Sequence, residues 1–342
     1  MKFSLIVPVY NRADEVWALL ESLAEQEDPG FECIIVEDGS TERCDNVCNE
    51  FKDRIDLKYY YKENEGRSIA RNFGIDRAGG DYFVFVDSDC ILPPDYFSTL
   101  RSELIEENQQ SRIHCFGGPD AAHESFSDLQ KAINFAMTSF LTTGGIRGGK
   151  VQLEKFVPRT FNMGFSREVY EKTGGFREMF SEDIDMSTRI RMAGYRPVLL
   201  RNVKVFHKRR VNLGKFWRQV HVFGMSRITL KLLYPDSMKA VHWLPALFVL
   251  FSAAMVVCSI VGICLGKTLM ILAVAPLFAY ILALFTAASV SMKSLKLGAM
   301  AVMTSIIQLW GYGTGFLRAY IWKILLRHGR NEAQEIALRK GK

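Results

Sequence analysis

Three stretches of this chain contain no Asp, Glu, Lys or Arg: His242–Gly266, Thr268–Met292 and Leu297–Leu317. As helices rising 1.5 Å per residue, the first two would each be roughly 37 Å long, enough to cross a hydrocarbon core of ~30 Å with some tilt. A buried helical hairpin in a soluble protein is the alternative, and those lengths argue against it. The third stretch is shorter and carries Gln308 with Gly311, Gly313 and Gly315, which weaken a helix. Other absences are as informative. Lys2 runs straight into a short strand-like segment and then polar Asn11-Arg12, with no signal peptide, so the first domain is expected on the cytosolic side. The seven cysteines suit a reducing compartment, and Cys44 and Cys48 have no second Cys or His pair nearby, which excludes a zinc site of the usual spacing. Gly144–Lys150 imitates a phosphate-binding loop, but position 151 is Val where a Ser or Thr is needed, and no strand precedes it. There is no internal repeat and no low-complexity linker. The net charge of +6 is modest, and its basic excess lies at Lys204–Arg210 and after Arg318. Beside apolar helices, such charge suits anionic lipid headgroups and not nucleic acid.

What is present before residue 240 is an alternation of short apolar strands and amphipathic helices. Strands are expected at Phe3–Val9, Glu32–Glu37, Leu57–Tyr61, Tyr82–Val86, Phe161–Phe165 and Pro197–Phe206. Helices are expected at Asp14–Ala24, Thr41–Phe51, Ser68–Ala78, Phe126–Phe140, from Arg167, from Ser181 to Ala193, and at Val211–Leu233. Short connections between such elements mean βαβ units and a mostly parallel sheet.

The strand Tyr82–Val86 ends in Asp87-Ser88-Asp89. Two carboxylates at the carboxyl end of a buried parallel strand lie where ligands bind in open α/β sheets. They repel each other, and a divalent cation with a preference for oxygen ligands, Mg²⁺ or Mn²⁺, removes that cost. A metal held there can carry a diphosphate, which points to a nucleotide-activated donor. Pro8, Tyr10, Asn11 and Arg12 close the first strand, and Glu37-Asp38 the second, at the same sheet edge. A carboxylate there can accept from a base N–H or from ribose hydroxyls; each acid alone reads more readily as a helix cap, and the Asp87/Asp89 pair beside them reverses that preference. Glu182-Asp183 follows Ser181 at a helix start, as favourable first-turn charge or as a general base. His207 closes a strand as a structural histidine or as an imidazole completing a site with Asp89.

In this order, Ile6–Arg12, Val36–Ser40, Asn64-Glu65-Gly66 with Ala70-Arg71-Asn72, Asp87-Ser88-Asp89, Gly174-Gly175-Phe176, and Glu182–Asp185 with Arg189 and Gly194 resemble glycosyltransferase family 2 over roughly residues 3–230. That resemblance implies the GT-A fold, a Rossmann-like α/β domain, here followed by C-terminal transmembrane helices. It implies that Pro8, Tyr10 and Asp38 hold the base and ribose, with Asn11 and Ser88 at the same edge. Arg71 would meet the phosphates, Asp87 the ribose or metal, Asp89 and His207 the metal, and Asp183 would be the catalytic base. It further implies inversion by single displacement. The donor would be a nucleotide-diphosphate sugar, most often of UDP, and the acceptor a hydroxyl of a lipid-linked or surface glycan. The Gln-x-x-Arg-Trp motif of processive members is absent, Phe216–His221 standing in its place, which favours transfer of one sugar. The competing readings are a metal-dependent nucleotidyltransferase and a non-catalytic membrane scaffold. The first lacks a basic glycine loop after the first strand, and the second has no use for Asp38, Asp87, Asp89 and Asp183 together.

The expected organisation is a catalytic domain at 1–235, a membrane region at 236–320 and a basic tail at 321–342, in a multi-pass protein of the inner (plasma) membrane with its catalytic domain in the cytoplasm. The positive-inside rule puts Lys293 and Lys296 inside after two spans. A third full span would carry the basic tail outside. The expectation is therefore a re-entrant or interfacial segment at 297–317, a cytosolic C-terminus, and Ala319–Leu338 as a basic amphipathic helix on the inner leaflet.

Overall fold

The computed structural model describes residues 1–106, 112–121, 126–144, 156–207, 212–329 and 335–337. Gly145–Lys150 of the glycine-rich loop, Lys208–Arg210 and much of the basic tail lie outside these residues.

Along the chain the strands are β1 (Phe3–Val9), β2 (Phe31–Asp38), β3 (Leu57–Lys62), β4 (Tyr82–Phe85), β5 (Cys90–Ile91), β6 (Cys115–Gly117), β7 (Asp120–Ala121), β8 (Met163–Ser166), β9 (Pro197–Leu199) and β10 (Val205–His207). The helices are α1 (Ala13–Ala24), α2 (Asp45–Phe51), α3 (Arg67–Ile75), α4 (Tyr96–Glu106), α5 (Asp128–Thr138), α6 (Phe140–Thr143), α7 (Arg167–Thr173), α8 (Glu182–Met192), α9 (Leu213–Leu233), α10 (Leu244–Leu265), α11 (Thr268–Ile271), α12 (Ala275–Met292) and α13 (Leu295–Ala319). They form two compact units. One takes the described residues within 1–123 and 155–208, the other those within 124–154 and 209–337.

The first unit is built on a seven-stranded sheet of order β3-β2-β1-β4-β8-β6-β9. β1 pairs in parallel with β2 and with β4, β2 with β3, and β6 with β9; β8 runs antiparallel between β4 and β6. Tyr82 through Val86 are all fully buried, as an apolar run covered on both faces requires. Alternate residues of β1 feed different cores: Leu5, Val7 and Val9 pack with α1, α2 and α4, whereas Ile6 packs with α3, α7 and α8. The chain leaves β1 for β2 and β3 on one side and returns to β4 on the other. The carboxyl ends of β1 and β4 therefore flank a topological switch point, where open α/β sheets bind ligands.

A second sheet, β5-β10-β7, was not visible in the strand patterns. The single strand expected over Pro197–Phe206 is two. β9 joins the large sheet, and β10 pairs antiparallel with β5, His207 opposite Cys90. Between them the Val203 carbonyl accepts from Asn162 Nδ2 at 2.8 Å instead of from a neighbouring strand, so the ladder is broken.

In the second unit α13 packs against α5, α9, α10 and α12. Its glycines do not interrupt it. They let backbones approach: a Cβ on Gly315 would sit 2.0 Å from the His221 carbonyl oxygen, and one on Gly313 2.4 Å from that of Pro245. The facing Gly224 of α9 would place a Cβ 2.1 Å from the Tyr312 carbonyl oxygen. The expected weakening of this segment is thus overridden by tertiary packing. Among the described residues, two helices, Ala240–Leu265 and Thr268–Met292, are long and apolar enough to cross a membrane. The second includes a 3₁₀ turn at Leu272–Val274 before Pro276 opens α12. Both present large apolar side chains outward, among them Leu250, Phe251, Ile260, Leu269, Phe278 and Leu282. The amphipathic helix expected from Ala319 is not continuous: Tyr320–Leu325 widens into a π-helical turn and Arg327 has φ +59°.

Candidate functional site

At the carboxyl edge of β1, Pro8 is half-buried and the Tyr10 ring is exposed. Asn11, at φ +53°, uses its side-chain oxygen to accept from the Thr41 and Glu42 amides at 2.8 and 3.1 Å. It thereby pins the loop after β2. Asp38 closes β2 opposite Lys62 of β3. Its Oδ1 accepts from Lys62 Nζ and the Glu65 amide (2.8 and 3.0 Å) and its Oδ2 from the Gly66 amide (2.8 Å). This carboxylate therefore fixes the Asn64-Glu65-Gly66 turn from which α3 starts.

Beyond β4 the two aspartates part. Asp87 Oδ1 pairs with Arg71 Nη2 at 2.7 Å, Ser88 is buried, and Asp89 Oδ1 lies 3.1 Å from His207 Nε2. The antiparallel β5–β10 pairing places His207 there, and its ring stacks on Phe161 at 5.0 Å. Asp89, Cys90 and His207 present potential ligand atoms within 4.8 Å of one another; Asp87 does not join this group. Burial pushes the Cys90 thiol well above its ordinary value, and Sγ donates to the Phe161 carbonyl, so this thiol is a packed neutral group. A carboxylate and an imidazole remain, a mixed oxygen and nitrogen donor set able to hold a divalent ion. Glu15, in the first turn of α1, supplies further negative charge. Burial, and then the Asp89 charge, push its carboxyl up, while Arg12 Nη1 bonds its Oε1 at 2.5 Å. A cation at Asp89 removes that repulsion, so the residues fit a divalent ion.

Asp183 sits in the first turn of α8. Its Oδ2 faces Arg159 Nη1 at 3.3 Å and its Oδ1 accepts from the Ile184 amide at 2.8 Å. Ser181 before it holds φ +64°, a left-handed conformation uncommon outside glycine and concentrated at functional sites. Two distant motifs hold this helix end. The Asn72 carboxamide bonds the Phe176 amide and carbonyl at 2.8 Å each, and Gly175 fits beneath it because a Cβ would lie 2.3 Å from Asn72 Oδ1. Arg189 binds Asp185 and the carbonyls of Thr173 and Gly175.

Sequence reading missed the ionic chain that joins the two halves of the site. Arg71, 1% exposed, bridges Asp87 and Glu182, the latter through Nη1 to Oε1 at 2.9 Å. Arg67 grips the same buried Glu182 through Nε and Nη2 at 2.8 Å each. The signal was available, since Arg67 and Arg71 are four apart and share one face of α3.

A family profile described as glycosyl transferase family 2 matches residues 4–174, half of the chain. Among curated proteins, the chain is 38% identical over 106 residues to glycosyltransferase GlyA of Streptococcus pneumoniae, covering 31% of this chain and 15% of that one. It is 34% identical over 108 residues to the uncharacterized glycosyltransferase YibD of Escherichia coli, covering 31% of each. The chain thus spans less than a third of the length of these relatives. Among solved structures, the mannosyltransferase PcManGT of Pyrobaculum calidifontis, in complex with GDP-Man and Mn²⁺, aligns over 96% of this chain and 88% of its own at 18% identity, TM-score 0.55. That likeness is one of fold, the GT-A arrangement of a mostly parallel sheet. The chain belongs to glycosyl transferase family 2.

Proposed function

We propose that the protein is a glycosyltransferase that moves one sugar from a nucleotide-diphosphate sugar to an acceptor hydroxyl, with inversion. The observation that carries this reading is the convergence at one switch point of Asp87, the Asp89–His207 pair and, through the Arg71–Glu182 bridge, the helix end bearing Asp183.

Tyr10, Pro8 and Asp38 form the base and ribose side of the donor site, and Asp87 lies toward the ribose. Asp89 and His207 would hold a divalent cation, Mg²⁺ or Mn²⁺, which supplies positive charge to the diphosphate when bound. Asp183 is the general base. Its carboxylate, oriented by Arg159 and the Ile184 amide, takes the proton of the acceptor hydroxyl as the oxygen attacks the anomeric carbon and the bond from that carbon to the diphosphate breaks, releasing the nucleoside diphosphate. One base and no separate nucleophile suit a single displacement. The neighbour's GDP-Man and Mn²⁺ support a nucleotide-sugar donor and a metal for this fold; UDP is the expected nucleotide here.

The two apolar helices support a lipid-linked or surface-glycan acceptor, since they would keep the transferase at a membrane whose lipids are its standing partner. On this reading, residues 1–235 form the catalytic domain on the cytoplasmic face of the plasma membrane, with the membrane region and basic tail following. Incubating the full chain with a panel of nucleotide sugars tests it. Release of nucleoside diphosphate is the expected result, whereas release of pyrophosphate would indicate nucleotidyl transfer.

A further inference from the structure

Resting on the donor reading above, we propose that Arg67, and not Arg71, is the arginine that meets the donor diphosphate. Arg71 is 1% exposed, and both its terminal nitrogens are committed to carboxylates, Nη1 to Glu182 and Nη2 to Asp87. Turning it toward a ligand would break two ion pairs at once, with Asp87 and with the buried Glu182, and leave its own buried guanidinium without either carboxylate, a large loss.

Arg67 is placed differently. Its side chain is 53% exposed, and Glu182 holds it by one edge only, through Nε and Nη2. Among the described residues the Nη1 group makes neither an ion pair nor a hydrogen bond, so its N–H donors, with the second N–H of Nη2, leave the end-on edge of a rigid fork unused. Such a fork matches phosphate oxygens. Phe180 lies 5.9 Å from the guanidinium carbon, so a ring and a carboxylate both hold the group in place before any ligand arrives. Gly66, at φ +96°, precedes Arg67, and a Cβ built there would meet nothing within 4 Å, so the turn that opens α3 is not crowded at this point. Burial works against the charge on Arg67, but the carboxylates of Glu182, Asp87 and Asp183 outweigh it and push its already high value further up. It shares Glu182, the sequence neighbour of Asp183, with Arg71, whose other terminal nitrogen binds Asp87. A fixed cation there neutralises the charge that builds on the diphosphate as it leaves.

Calorimetric affinities for UDP, UMP, GDP and GMP, measured with Mn²⁺ on the full chain, test this. Wild type is expected to bind at least one nucleoside diphosphate more tightly than its monophosphate. Arg67→Ala should shrink that ratio about tenfold while leaving the monophosphate affinity unchanged. Arg67→Lys, which keeps the charge and loses the fork, should fall between. Arg67→Gln, which can still bond Glu182, carries the test should the alanine variant be unstable. An unchanged ratio in Arg67→Ala or Arg67→Gln would overturn the assignment, as would equal weakening of both nucleotides, which marks a structural role. Wild type binding none of the four nucleotides would defeat the donor reading itself.

Discussion

At the scale of single residues the account rests on carboxylates with different partners. Asp89→Ala removes the carboxylate beside His207 and adds no bulk, so the fold should persist and metal-dependent turnover should vanish. Activity surviving with Mn²⁺ or Mg²⁺, or indifference of the wild type to chelator, would remove the metal from this site. Asp183→Asn is nearly isosteric and should lower turnover by about 10²–10⁴-fold with donor affinity held. Normal turnover with weakened donor binding would instead place Asp183 on the donor side. Asp28 offers a test away from the site. The hydrogen bond from Arg101 Nε, at 2.6 Å, draws its carboxyl below the ordinary value. A carboxylate with a lowered folded value stabilises above the unfolded value of about 3.9, and that contribution is lost as pH falls through the folded one. Asp28→Asn should therefore cost about 1 kcal/mol in denaturant unfolding at pH 7 and progressively less below pH ~4. A cost that stays constant down to pH 2.5 would exclude this linkage.

At the scale of elements, what could be read from sequence was what one segment decides alone. β1 appears at Phe3–Val9 as its apolar pattern requires, and Asp87 and Asp89 follow β4 because the buried run stops there. What could not be read was decided by pairing across distance. β5 and β10 are two and three residues long, and only their register brings His207 to Asp89. The roles of Glu182 and Arg71 likewise depend on α3 meeting the start of α8, residues 111 apart in sequence. Glycine in α13 misled for the same reason. Propensity argues against helix, but a neighbouring backbone close enough to demand glycine outweighs it. The contact has a consequence that can be measured. Gly224→Val forces a side chain against the Tyr312 carbonyl and the Phe316 amide, 2.1 and 2.8 Å from the new Cβ. Loss of about 1–3 kcal/mol is expected, read as a lower thermal midpoint in detergent. An unchanged midpoint would mean that α9 and α13 do not pack this closely.

At the scale of the whole molecule, the proposal joins in one chain a glycosyltransferase unit and helices able to cross a membrane. Two spans with a cytosolic C-terminus can be tested by thiol labelling. In a background with Cys258 and Cys264 replaced by Ser, Lys267→Cys should react with an impermeant reagent in intact cells, and Lys342→Cys only after lysis. Labelling of position 342 in intact cells would make Leu297–Leu317 a third full span. The central claim, nucleotide-sugar-dependent transfer from the Asp87–Asp89–Asp183 site, is reached most directly by one assay. It measures free nucleoside diphosphate released from a panel of UDP- and GDP-sugars with Mn²⁺, comparing wild type with Asp183→Asn. The account predicts release by wild type from at least one donor and a drop of at least about a hundredfold in the variant. Equal release by the two proteins, or none from any donor by wild type, would contradict it.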